Sequence, residues 1–228
     1  MRGRPAYSCA LKSPHVGKLV DVGNLGVDQE ALPYLALEYL EGMDLDRVIE
    51  SKGRVPYRDA FKWCADACEG LAEAHAPGIV NRDLKPSNVF LAEQGSAAAP
   101  VVKVLDFGIA AGEGDLKLTN MGAVVGSPAY MSPEQMLTPS EVDARSDVWS
   151  LGTVLYELVT GHHPFKGDGD LQIFANVMTK QPQPVRDHVA ELPVAAEEIV
   201  MQCLRRPREE RFDSMAKLAG ALRSAVAV

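Results

Sequence analysis

The segment 146–160, Ser-Asp-Val-Trp-Ser-Leu-Gly-Thr-Val-Leu-Tyr-Glu-Leu-Val-Thr, is apolar almost all round. A helix with no polar face has nothing to offer water and must be enclosed by other elements. Gly161 directly after it supplies a helix stop. The rest of the chain has to provide the enclosure. Ala60, Trp63, Cys64, Ala67, Cys68, Leu71 and Ala74 follow the i, i+3, i+4, i+7 rule, which predicts an amphipathic helix closing near Pro77-Gly78. Further helical patterns lie around 171–179, 195–204 and 214–226.

Strand signals are fewer. Residues 16–22 and 32–38 read as two strands joined by the turn-rich Gly23-Asn24-Leu25-Gly26, and 88–91 and 101–105 as a short pair around a small-residue turn. The order is therefore two strands, then a mostly helical body with an inserted strand pair, an α+β arrangement. The irregular stretch 106–134 is too long to be idle in a compact domain, so it invites a functional reading.

Composition narrows the function classes. The 228 residues carry a formal net charge of −8, which argues against a chain whose main task is holding nucleic acid or an anionic membrane face. No apolar run is long enough to span a bilayer, and the basic start Met-Arg-Gly-Arg-Pro lacks the apolar stretch of a signal peptide, so the expected location is cytoplasmic. Cys9, Cys64, Cys68 and Cys203 show no metal-knuckle spacing and are expected to be reduced thiols, buried in the core. A Gly-x-x-Gly at 23–26 has no Lys-Ser/Thr after it and reads as a plain turn, not an anion site.

Three pieces carry chemistry. Ile79-Val80-Asn81-Arg82-Asp83-Leu84-Lys85-Pro86-Ser87-Asn88 is followed by Val104-Leu105-Asp106-Phe107-Gly108, and then by Gly126-Ser127-Pro128-Ala129-Tyr130-Met131-Ser132-Pro133-Glu134. Each piece alone is a short string that chance could supply, but the three in this order form a pattern. From Ser13 to its end the chain resembles the bacterial type of the eukaryotic-like (Hanks-type) serine/threonine protein kinases. The resemblance implies a protein-kinase-like fold: residues 1–12 are a remnant or unrelated start, 13–40 the last N-lobe strands and hinge, and 41–228 an essentially complete helical C-lobe.

It also implies a chemistry, transfer of the γ-phosphoryl group of Mg·ATP (manganese as a substitute) to Ser/Thr hydroxyls of protein substrates. Asp83 would accept or orient the proton of the substrate hydroxyl, and Lys85 would steady the transferring group. Asn88 and Asp106 would hold metal. Backbone groups of Glu38 and Leu40 would meet adenine, Asp44 would face the ribose and Phe90 would lie under the base. Arg82 would answer an activating phosphate on Thr119, with Phe107 and Gly108 completing the regulatory stretch. Ser127 would have a structural role at the substrate platform. Asp147 would brace the catalytic loop, and Arg211 would pair with Glu134.

The sequence departs from the family pattern in two ways. No Gly-x-Gly-x-x-Gly and no Val-Ala-x-Lys occurs in the 228 residues. Lys12 lies directly before the segment that resembles the one following the lobe's helix, which leaves no room for that helix, and the first glutamate is Glu30 although the helix glutamate would fall near Arg4. The two strands should then expose an edge. Asn81 also stands where the family usually has histidine; it can still hydrogen-bond but fills less space, which predicts weaker coupling between the catalytic loop and Asp-Phe-Gly, not abolished chemistry. Two readings follow: a serine/threonine kinase impaired in these residues, whose upstream part was assigned away, or a catalytically inactive kinase-like lobe that docks proteins.

Overall fold

The computed structural model describes residues 11–25, 32–95, 99–106 and 128–227. Among these residues eight α-helices form, with α4 (Ala144–Thr160) at their centre. From Ser146 to Thr160 every residue of α4 except Glu157 is buried. Asp143 caps its start, accepting from the Arg145 N–H, and Gly161 ends it in the left-handed conformation at φ 74°. Against α4 pack α1 (Leu45–Lys52), α2 (Tyr57–His75), α6 (Val185–His188), α7 (Val194–Cys203) and α8 (Met215–Val226). The two remaining helices are α3 (Pro133–Leu137) and α5 (Asp170–Thr179).

Side-chain size sets how closely these helices approach. An added Cβ at Gly152 on α4 would lie 2.3 Å from the Cys203 Cβ on α7. Gly152→Ala is therefore expected to lower stability by about 1–3 kcal/mol through overpacking, read as a lower urea midpoint at unchanged slope. Cys64, Cys68 and Cys203 are free, buried thiols, and burial pushes Cys203 up to about 12. Cys9 lies outside the described residues.

The strands form two separate sheets. β1 (Leu19–Leu25) pairs antiparallel with β2 (Leu32–Leu37), while β3 (Gly42–Asp44), β4 (Val89–Ala92) and β5 (Val101–Val104) make a three-stranded antiparallel sheet with β4 central. The first hairpin differs from the sequence expectation. Gly23, Asn24 and Leu25 are strand, not turn, and Gly23 faces Tyr34. A Cβ at Gly23 would meet the Tyr34 ring at 2.7 Å, so the glycine is there to let an aromatic ring lie across the strand. Val16, expected to open β1, instead makes an isolated parallel bridge to Val104.

That bridge belongs to a clasp on the helical body. The N–H groups of Lys12 and Ser13 donate to the Glu73 carboxylate of α2 at 2.8 and 2.6 Å. His15 Nδ1 donates to the Val102 carbonyl at 2.9 Å, and Gly17 N–H to the Val104 carbonyl at 2.9 Å. The hairpin itself is barely covered: Val20, Leu25, Leu32 and Leu35 are exposed. Helix α1 has no counterpart among the sequence expectations, although Asp44 as cap and Leu45, Val48 and Ile49 on one face spell it out.

Candidate active site

Residues 81–88 run irregularly between α2 and β4, and one buried carboxylate fixes their path. Asp147, fully buried in the first turn of α4, accepts from the backbone N–H of Asn81 (2.8 Å, Oδ2) and of Arg82 (2.9 Å, Oδ1). His75 Nε2 at the end of α2 lies 2.7 Å from the same Oδ2. Arg82 is held at φ 67°, a conformation a side-chain-bearing residue seldom adopts, and its carbonyl accepts from Gln135 Nε2 at 2.7 Å. His75 and Gln135 carry no sequence signal, because their partners are far away in the chain.

The loop brings three polar side chains together. Lys85 Nζ donates to Asp83 Oδ2 at 2.8 Å. Asn88 Nδ2 donates to the Asp83 carbonyl at 2.8 Å and approaches Asp83 Oδ2 at 3.3 Å. A turn of 3₁₀ helix at Pro86–Asn88, opened by proline, folds Asn88 back toward Asp83. Both Asn88 contacts to Asp83 run through Nδ2, which leaves Oδ1 as the acceptor end of the amide.

Asp106 joins this group from the end of β5. The Leu105 N–H donates to the Asn88 carbonyl at 2.8 Å, which sets the strand end beside the loop. Asn81, fully buried, links the two further: its Oδ1 accepts from the Asp83 N–H at 3.1 Å and its Nδ2 donates to the Asp106 carbonyl at 3.3 Å. Asp106 is, with Arg82, one of two side-chain-bearing residues at positive φ among the described residues (52°). Backbone strain at two such points is characteristic of a functional loop.

A floor lies beside them. Asp44, Phe90 and Lys103 stand directly opposite one another across β3, β4 and β5, so they share one face of the sheet. Gly42 allows the close pairing, because a Cβ there would sit 2.1 Å from the Leu91 carbonyl oxygen. Asp44 Oδ1 accepts the Arg47 N–H at 2.9 Å and so caps α1. Residues 38–41 connect β2 to this floor, with the Glu41 carbonyl accepting from Glu93 N–H at 2.8 Å. Leu40 in that connection is partly exposed.

At the far end of the 106–134 stretch, Glu134 sits in the first turn of α3, whose cap Ser132 forms a reciprocal capping box with Gln135. Its carboxylate receives Arg211 Nη1 and Nη2 at 2.7 and 2.9 Å and Ser146 Oγ at 2.6 Å. Burial pushes the Glu134 carboxyl up, but the Arg211 bonds and charge outweigh it and hold the group down to about 2. Nearby, Tyr130 Oη donates to Glu157 Oε2 at 2.7 Å, and burial raises both groups.

The sequence pattern of the protein kinase domain matches residues 8–220. The chain belongs to the protein kinase family. Within it the match is to the bacterial Hanks-type serine/threonine kinases. The chain is 36% identical over 216 residues to the serine/threonine-protein kinase PknB of Mycobacterium leprae, covering 94% of this chain and 34% of that one. It is 34% identical over 212 residues to a probable serine/threonine-protein kinase of Clostridium perfringens, covering 93% of this chain and 30% of the relative. It thus spans about a third of the length of these curated relatives. The crystal structure of the Mycobacterium tuberculosis PknI kinase domain superposes with a TM-score of 0.72 at 21% identity, covering 96% of this chain and 75% of that one, which shows the α+β kinase fold.

Phe107, Gly108, Thr119 and Ser127 lie outside the described residues. Among the described residues no helix is long and apolar enough to cross a membrane.

Proposed function

We propose that this kinase domain carries the phosphoryl-transfer end of a Mg·ATP-dependent protein serine/threonine kinase, and that the 228 residues by themselves transfer phosphate poorly. The observation that carries the reading is the hydrogen-bonded group Asp83–Lys85–Asn88, tied through Asn81 and Leu105 to Asp106. The donor set fits magnesium: the Asn88 amide oxygen and the Asp106 carboxylate are hard oxygen ligands. When bound, Mg·ATP supplies the transferable phosphoryl group and neutralises its oxygens.

The chain's own residues supply position and charge. Asp83, with its carbonyl held by Asn88 Nδ2 and its carboxylate by Lys85 Nζ, would accept or orient the proton of a substrate hydroxyl. The Lys85 ammonium beside it answers negative charge that builds on the transferring group. Phe90 offers an apolar face for a base, with Asp44 in line for a ribose and the backbone of Glu38 and Leu40 for the adenine edge. Residues 13–40 then serve as the last strands and hinge of the nucleotide lobe, and 41–228 as the substrate lobe.

The low activity follows from what the sequence lacks. One preorganised electrostatic donor is typically worth on the order of 10²–10³ in rate, and both a phosphate-covering glycine loop and a strand lysine are missing from these residues. Incubation of the purified chain with labelled Mg·ATP and a generic protein substrate is expected to give transfer near the level of an Asp83→Asn control. Strong labelling that disappears in the control would show that this lobe suffices and would overturn the impairment.

The second reading is a protein-docking lobe. The exposed apolar side chains of Val20, Leu25, Leu32 and Leu35 on the hairpin favour it. It predicts no stabilisation by nucleotide, whereas the kinase reading predicts a rise in thermal midpoint with Mg·ADP.

A further inference from the structure

One carboxylate spans the junction between the two sheets. Glu38 follows β2 directly, and its Oε1 receives Lys103 Nζ from β5 at 2.7 Å. The same oxygen accepts the Lys18 N–H at 2.8 Å, while the Glu38 N–H donates to the Lys18 carbonyl at 2.9 Å. Among the described residues the two strands of the hairpin pair with each other and with no third strand, so this carboxylate is a side-chain tie from their base to the helical body's sheet. The pair is substantially desolvated, with side chains 13% and 26% exposed for Lys103 and Glu38. Burial pushes the Glu38 carboxyl up, but Lys103 and the Lys18 N–H together hold it below the usual carboxylate range.

Lys103 is also directly across the ladder from Phe90, on the face proposed to receive the base. We propose that Glu38–Lys103 is a positioning latch that sets the hinge backbone at a fixed height above Phe90, so that the adenine edge meets it in register. This rests on the nucleotide-site reading. An untethered hairpin would have to be ordered by the ligand, and the binding energy would fall by the cost of that ordering. Lys103 touches neither base nor phosphate in this role; it acts through Glu38.

The test measures adenosine and Mg·ADP binding to the chain, with Lys103→Met, Lys103→Arg, Glu38→Gln and the double variant Lys103→Met/Glu38→Gln. Loss of the latch is expected to weaken adenosine and Mg·ADP by the same factor, on the order of fivefold. Arginine should restore most of the affinity, and the double variant should be no worse than the worse single one. A merely structural ion pair would lower the unfolding midpoint without touching adenosine affinity, and that result overturns the latch, as do additive single effects.

Amide exchange at Lys18 and Glu38 in ligand-free protein separates the latch from the reading beneath it. If the wild-type chain binds no nucleotide, the nucleotide-site reading fails. Faster exchange at both amides in Lys103→Met then still supports the brace between sheets. Unchanged exchange overturns it.

Discussion

Asp147→Ala is expected to lower the stability of the domain by about 3–5 kcal/mol and to free the catalytic loop before the rest unfolds. The carboxylate is fully buried, and it answers three donors from two places: the N–H groups of Asn81 and Arg82, and His75 Nε2. Alanine removes all three acceptor contacts and offers nothing in return. The orphaned, buried Asn81 N–H costs on the order of 1–3 kcal/mol, and the part-buried Arg82 N–H and His75 Nε2 cost less. Arg82, no longer held at φ 67°, is then free to relax out of its strained conformation, which moves Asp83 away from Lys85 and Asn88. Amide exchange at Asn81 and Arg82 should accelerate together, and the urea midpoint should fall. Asp147→Asn keeps one acceptor oxygen and should lose less. Protected amides and a midpoint within about 1 kcal/mol of wild type in Asp147→Ala would sink the argument.

The buried helix, its glycine stop and the amphipathic α2 were legible in the sequence because each rests on local periodicity. The apolar run 146–160 implied enclosure, and Glu157, the one residue of the run not fully buried, has its carboxylate met by the Tyr130 hydroxyl. The hairpin was legible as two strands but not in its bounds. Gly23 and Asn24 look like a turn, and only the cross-strand Tyr34 ring gives the glycine another purpose. In the site, Asp83, Lys85 and Asn88 were named by the family resemblance, whose motif lies within one short loop. His75, Gln135 and Lys103 were not, because each acts through a partner brought close only by the fold. Asn81 was expected to keep a hydrogen bond while filling less space than histidine, and it bridges Asp83 and Asp106 at 3.1 and 3.3 Å, the second bond being long.

Glu134→Gln should cost about 3–5 kcal/mol as well, for a different physical reason. All five guanidinium hydrogens of Arg211 are accounted for: Nε on the Arg205 carbonyl, Nη1 on Glu134 Oε1 and the Arg145 carbonyl, Nη2 on Glu134 Oε2 and the Arg206 carbonyl. The guanidinium also lies 5.0 Å from the centre of the Trp149 ring. Glutamine removes the countercharge and turns an amide donor toward a donor, leaving a fully buried cation uncompensated. Acid should act on the same bond. The Glu134 carboxyl titrates near 4.5 when unfolded and at about 2 in the fold, so the stability it contributes is complete above about 4.5 and lost as pH falls toward 2. That difference is on the order of 3 kcal/mol, and urea midpoints taken from pH 7 to pH 3 should show a fall in wild type that is shallower in Glu134→Gln. If the acid dependence is unchanged in the variant, some other carboxylate controls it. The consequence reaches the active site. Glu134 sits in the first turn of α3, and its neighbour Gln135 holds the Arg82 carbonyl. Loosening α3 therefore withdraws a support from the strained residue next to Asp83, and phosphate transfer in any longer, active form should fall along with stability.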